Sequence, residues 1–149
     1  MSDDWLIVIP ADPLAKPPRD RAQATFALLC ALRPGAQDPE LLSYETPEFI
    51  YCGSNFSNVF CPLCQADLGA WWDIAMREWW ESRDHRILSV ETPCCRHPIS
   101  LNDLDFDSPQ GFACFAIELM NPGPDLEPEE FRQVESTLGV PVRIIWRHI

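Results

Sequence analysis

Trp5-Leu6-Ile7-Val8-Ile9 is apolar at every position and ends at Pro10. A run of strand length that is apolar on both alternating faces belongs in the interior of a sheet. The chain is therefore expected to open with a central strand. Pro10, Pro13, Pro17 and Pro18 then force an extended connection, after which Asp20 to Leu32 has helical spacing. Ala22, Phe26, Leu29 and Arg33 line one side of that helix, Thr25, Leu28 and Leu32 lie beside them, and Arg33-Pro34-Gly35 stops it. Glu48-Phe49-Ile50-Tyr51-Cys52 reads as the second strand, closed by the turn Gly53-Ser54-Asn55.

The last third repeats this order. Phe112 to Met120 alternates, with Phe115, Ile117 and Leu119 on one face, until Asn121-Pro122-Gly123-Pro124 breaks it. A helix starting near Pro128 buries Phe131, Val134 and Leu138 and ends at Gly139. Val142, Ile144 and Trp146 share one face of a final strand, with Arg143 and Arg147 on the other. Strand–helix–strand, twice over, predicts an α+β fold: a ferredoxin-like βαββαβ scaffold whose central connection is expanded. Residues 1–149 are read as a single domain, with 56–108 as an inserted zinc-binding lobe.

That insertion differs in character. It holds two of the three histidines, four of the six tryptophans and two close cysteine pairs. Trp72, Ala75, Met76 and Trp79 fall at helical spacing over 71–80, with Trp71 and Trp80 widening the stripe. Such a stripe wraps a core by default, yet one or two of these indoles are free to stay exposed as interaction anchors. Ile87 to Glu91 makes a short strand leading into Thr92-Pro93-Cys94-Cys95. Asp103, Asp105 and Asp107 alternate with Leu104 and Phe106, which suits a solvated strand edge. A calcium loop needs Gly where Ser108 stands and Glu where Cys114 stands.

Seven cysteines argue for metal or thiol chemistry rather than disulfides in a chain with a cytoplasmic address. Cys30 sits in a helical pattern and Cys52 and Cys114 in strand patterns, where free cysteine is a small buried hydrophobe. Cys61-Pro62-Leu63-Cys64 has the two-residue spacing of a zinc knuckle, and Cys94-Cys95-Arg96-His97 offers three donors for the two remaining positions of a tetrahedron. The preferred set is Cys61, Cys64, Cys94 and Cys95, with His97 as the alternative fourth ligand. Four protein ligands describe a closed, structural Zn2+ site. The 29 residues between Cys64 and Cys94 exceed the roughly 15–20 of compact zinc ribbons, and the inserted helix accounts for the excess. A helix-opening Cys-Pro-Leu-Cys would instead suit thiol redox chemistry at Cys61 and Cys64.

Charge limits the partners. With 23 acidic and 11 basic side chains the net charge is −12, a field that repels phosphate backbones, so no nucleic-acid role is expected. It suits a basic protein partner. No apolar stretch approaches the roughly 18 residues of a membrane span, and the acidic start Met1-Ser2-Asp3-Asp4 lacks the basic region of a signal peptide. Hence no membrane role is expected. Neither His-Glu-x-x-His nor a Gly-rich phosphate loop occurs.

Asn58-Val59-Phe60-Cys61-Pro62-Leu63-Cys64, Thr92-Pro93-Cys94-Cys95, Ser100-Leu101-Asn102-Asp103-Leu104, Gly111-Phe112-Ala113 and Asn121-Pro122-Gly123 together resemble a group of small uncharacterised bacterial proteins. The likeness covers about the last hundred residues. It implies a zinc-ribbon-like element and carries no activity with it. The function expected is a zinc-binding, non-enzymatic, acidic protein-interaction module, such as an immunity or antitoxin-type inhibitor of a basic toxin. The alternative is a thiol oxidoreductase or zinc hydrolase using Cys61 and Cys64.

Overall fold

The computed structural model describes residues 2–149. In chain order its elements are β1 (Asp4–Pro10), α1 (Arg19–Leu32), β2 (Gln37–Ile50), β3 (Val59–Phe60), α2 (Gly69–Glu81), β4 (Ser89–Glu91), β5 (Pro98–Ser100), a single 3-10 turn (Leu101–Asp103), β6 (Asp105–Phe106), β7 (Gly111–Met120), α3 (Pro128–Leu138) and β8 (Val142–His148). The chain is mixed α+β. Its main sheet is antiparallel in the order β2-β7-β1-β8, so β1 is interior, as its apolar run demands.

Helices α1 and α3 lie on one face of that sheet. Leu6 and Val8 of β1, Phe115, Ile117 and Leu119 of β7 and Val142 of β8 meet Ala22 and Leu29 of α1 and Val134 and Leu138 of α3. The opposite face buries Ile7, Ile9, Ala116 and Ile145 with Ile50 and Cys52. Helix α3 begins with Pro128 and a reciprocal cap between Glu127 and Glu130, and ends at Gly139 in the left-handed region (φ 85°).

The edge strand β2 departs from expectation. It starts at Gln37 rather than Glu48 and ends at Ile50 rather than Cys52. Register shifts interrupt it between Gln37 and Glu40 and between Ser43 and Glu48. Pro39 and Pro47 are tolerated because an edge strand need not donate on both sides. On β8, Ile144 and Trp146 pack towards the helices as the alternation predicts, while Ile145 is fully buried on the other face.

Beyond β2 the chain crosses to the far edge of the sheet. Gly53 bridges to His148, and the Ser54 amide donates to the His148 carbonyl at 2.8 Å. Asn55 Nδ2 reaches the Trp146 carbonyl at 2.9 Å.

Residues 59–106 hold two small sheets, β3 with β6 and β4 with β5. Their core (Val59, Leu68, Trp72, Ala75, Trp79, Leu88, Leu101 and Leu104) includes Phe112 of β7. Phe112 meets Trp79 edge-on, with centroids 5.0 Å apart, which joins the two halves. Asn102 adds a polar joint. Its Oδ1 accepts the Phe112 amide at 2.9 Å and its Nδ2 donates to the Ala11 carbonyl at 3.0 Å. Arg143 Nη1 completes that joint by donating to the Gln110 carbonyl at 2.7 Å.

Candidate metal centre

Two turns of the same construction bring the cysteine pairs together. After β3, the Cys61 amide donates to the Ala66 carbonyl (2.9 Å) and the Gln65 amide donates back to the Cys61 carbonyl (2.8 Å), with Gln65 at φ 62°. After β4, the Thr92 amide donates to the His97 carbonyl (3.3 Å) and the Arg96 amide to the Thr92 carbonyl (2.8 Å), with Arg96 at φ 56°. Asp67 fixes the exit of the first turn, accepting the Gly69 amide at 2.8 Å and the Asn58 side-chain amide at 2.8 Å.

The Sγ atoms of Cys61, Cys64, Cys94 and Cys95 lie within 4.8 Å of one another. Tetrahedral thiolates at the usual zinc–sulfur distance would be about 3.8 Å apart, so the group needs only a small contraction to hold an ion. Cys61 is buried, Cys95 half-buried, and Cys64 and Cys94 exposed. All seven cysteines are free thiols.

The electrostatics of the group are those of one thiolate solvated by its neighbours. The Cys64 amide, helped by the Leu63 amide and the Cys94 and Cys64 thiols, brings Cys61 down to about 7. Cys95 is pushed up to about 12, first by the Cys64 thiol and then by burial. Cys94, although its residue is exposed, is raised by loss of hydration at its sulfur and by the Cys64 and Cys61 thiols, with the nearby Thr92 hydroxyl acting the other way. A central cation is what would ionise all four together.

His97 lies outside the sulfur group. It is exposed, and its contribution to the turn is its backbone carbonyl. Cys30, Cys52 and Cys114 are dispersed through α1, the segment after β2, and β7, with Cys52 donating to Gln110 Oε1 at 3.3 Å. Asp103, Asp105 and Asp107 are exposed while Leu104 between them is buried. Among the described residues they form no metal-holding group. His148 pairs with Asp4 at 2.6 Å.

The tryptophan helix divides. Trp72 and Trp79 are 5% and 4% exposed, whereas Trp80 is 64% exposed. His85 stacks on Trp80 with centroids 5.8 Å apart, and its Nε2 lies 3.1 Å from the Trp80 carbonyl. Sequence patterning did not reveal this brace, nor Thr92 and its buried hydroxyl. The Thr92-Pro93 and Cys61-Pro62 openings of the two turns were the available signal.

Comparison of the chain with known protein families, curated proteins and solved structures gave no match. Of the motifs quoted from the sequence, the structure brings together the two cysteine pairs, Cys61 with Cys64 and Cys94 with Cys95. No helix among the described residues is long and apolar enough to cross a membrane.

Proposed function

We propose that Cys61, Cys64, Cys94 and Cys95 hold one structural Zn2+, and that the chain is a non-enzymatic, acidic module that binds a basic protein. The observation that carries the metal half is the convergence of four sulfurs from two turns of like construction. Four protein thiolates fill a tetrahedron and leave no position for water or substrate. The sheet order β2-β7-β1-β8 supports a ferredoxin-like scaffold, with 56–108 as its zinc-ribbon-like insertion.

For the binding half, the support is the net charge of −12 and the braced, exposed Trp80. A bacterial cytoplasmic inhibitor that masks a basic toxin is the concrete form of this reading. The low thiol pKa of Cys61 favours a second reading, thiol oxidoreduction. Against it, Cys61 is buried, and its turn does not open a helix, since α2 starts only at Gly69.

Metal content of untagged protein by plasma mass spectrometry, beside Cys61→Ser and His97→Ala, tests the metal half. One zinc per chain, lost in Cys61→Ser and kept in His97→Ala, is expected. No metal, with thiols that oxidise reversibly, would turn the reading to redox chemistry. Capture of a basic protein from native lysate supports the binding half, and failure to capture any protein counts against it.

A further inference from the structure

Superimposing the two cysteine turns by their hydrogen bonds sets residue 61 against 92 and 64 against 95. Each turn has the same pair of backbone bonds, five residues apart in one and four in the other. Each has proline at its second position (Pro62, Pro93) and a left-handed residue at its fifth (Gln65, Arg96). In this register Cys64 and Cys95 are equivalent. Cys61 is not matched by Cys94, which falls at the place of the exposed Leu63. Its counterpart is Thr92.

Thr92 is also buried as Cys61 is, at 1% against 0% exposure. Its Oγ1 is buried and makes no hydrogen bond of ordinary geometry, although it lies near enough to Cys94 to favour that thiolate. A buried hydroxyl left so is costly, and the thiolate lone pairs of a bound metal site are acceptors of the kind it lacks. We propose that Thr92 occupies the first ligand position of the second turn and that its hydroxyl donates to the Cys94 thiolate of the bound metal, as a positioning residue. Cys94, one residue ahead of its neighbour Cys95, has taken over as ligand from the next position but one. This rests on the metal reading given above.

The test uses the full chain loaded with zinc or with cobalt(II), whose thiolate charge-transfer absorption counts and reports on the sulfurs. Thr92→Val is expected to weaken zinc binding roughly tenfold, within the range for lost outer-sphere hydrogen bonds. It should also move the cobalt band to lower energy, because an unbonded thiolate is easier to oxidise; Thr92→Ser should restore both. A structural role alone would shift the melting temperature and leave the band in place. The register has its own test. Cys94→Ser should lose one thiolate's share of the cobalt absorption, and Thr92→Cys combined with Cys94→Ser should regain it. An unmoved band in Thr92→Val, or no regain in the double variant of a folded protein, overturns the assignment while leaving a metal site intact. Wild-type protein that takes up neither ion overturns the metal reading itself.

Discussion

Arg33 grips Glu130 through both ends of its guanidinium, Nη2 to Oε1 at 2.8 Å and Nη1 to Oε2 at 3.0 Å. The pair ties the C-terminal end of α1 to the first turn of α3. Arg33 also donates to the carbonyls of Pro124 and Asp125 at 2.9 and 2.7 Å, so one side chain closes the loop before α3. Glu130 in turn accepts the Glu127 amide at 2.8 Å. The Arg33 bond, and after it the Glu127 amide, hold the Glu130 carboxyl at about 2, against an ordinary value of 4.5.

A depressed carboxyl pKa stabilises the fold fully above the unfolded value, and that contribution is lost as pH falls through the folded one. The melting temperature should therefore drop between pH 4.5 and about 2. In Glu130→Gln that part of the slope should be missing. Taking the difference between the two proteins removes the acid release of metal, which is common to both. Parallel melting curves against pH would show that the pair does not couple the helices.

Gly53 tolerates no side chain. A Cβ there would stand 2.2 Å from the His148 carbonyl oxygen, and the residue already sits at φ +66°. Gly53→Ala should cost at least about 2 kcal/mol through strain and loss of the bridge to β8. For a chain of this size that is a fall in melting temperature of roughly 4–8 °C. Gly35→Ala, with nothing within 4 Å of the added carbon, is the control and should stay within about 0.5 kcal/mol.

The elements that were legible in the sequence are those that pack on a continuous surface. β1 and β7 are apolar runs buried on both faces, and α2 and α3 carry an apolar pattern at helical spacing. The N-terminal half of β2 carries none. Gln37 to Glu40 are all exposed, Asp38 has φ 44°, and the strand's pairing depends on a neighbour distant in sequence. Backbone hydrogen bonds to β7 hold it where side chains do not. The cysteine pairs were legible as a metal motif, but the parity of Thr92 with Cys61 was not. It depends on turn hydrogen bonds, which leave no mark on residue type beyond Pro62 and Pro93.

Metal removal should act unevenly. The sulfurs join the turn after β3 to the turn before β5, and residues 59–106 have few other long pairings, since β3, β4, β5 and β6 are two or three residues each. In Cys61→Ser, or with chelator, amide exchange should quicken first in 59–106, while Leu6 to Ile9 and Phe115 to Leu119 stay protected. Uniform loss of protection would mean that Phe112 and Asn102 make the halves one cooperative unit.

Trp80 should matter for binding and little for stability. Its indole borders a groove with Glu48, Phe49, Met76, Arg77 and Trp79. One ring face is stacked on His85, so its orientation is set before any partner arrives, which lowers the entropy lost on docking. Among the described residues Glu48 makes no ion pair. An aromatic wall beside a carboxylate suits a guanidinium, through its flat face and its charge. Titration of the labelled full chain with amidated Gly-Arg-Gly-Arg-Gly should shift the Trp80 indole resonance in a saturable way, weakened by Trp80→Phe or Glu48→Gln and strengthened by Arg77→Ala. Trp80→Ala should melt within about 2 °C of wild type, as befits a substitution at an exposed site. Equal response to a leucine peptide would mark the groove as merely apolar. A stronger response to a glutamate peptide, lost in Arg77→Ala, would reverse the charge assigned to the partner.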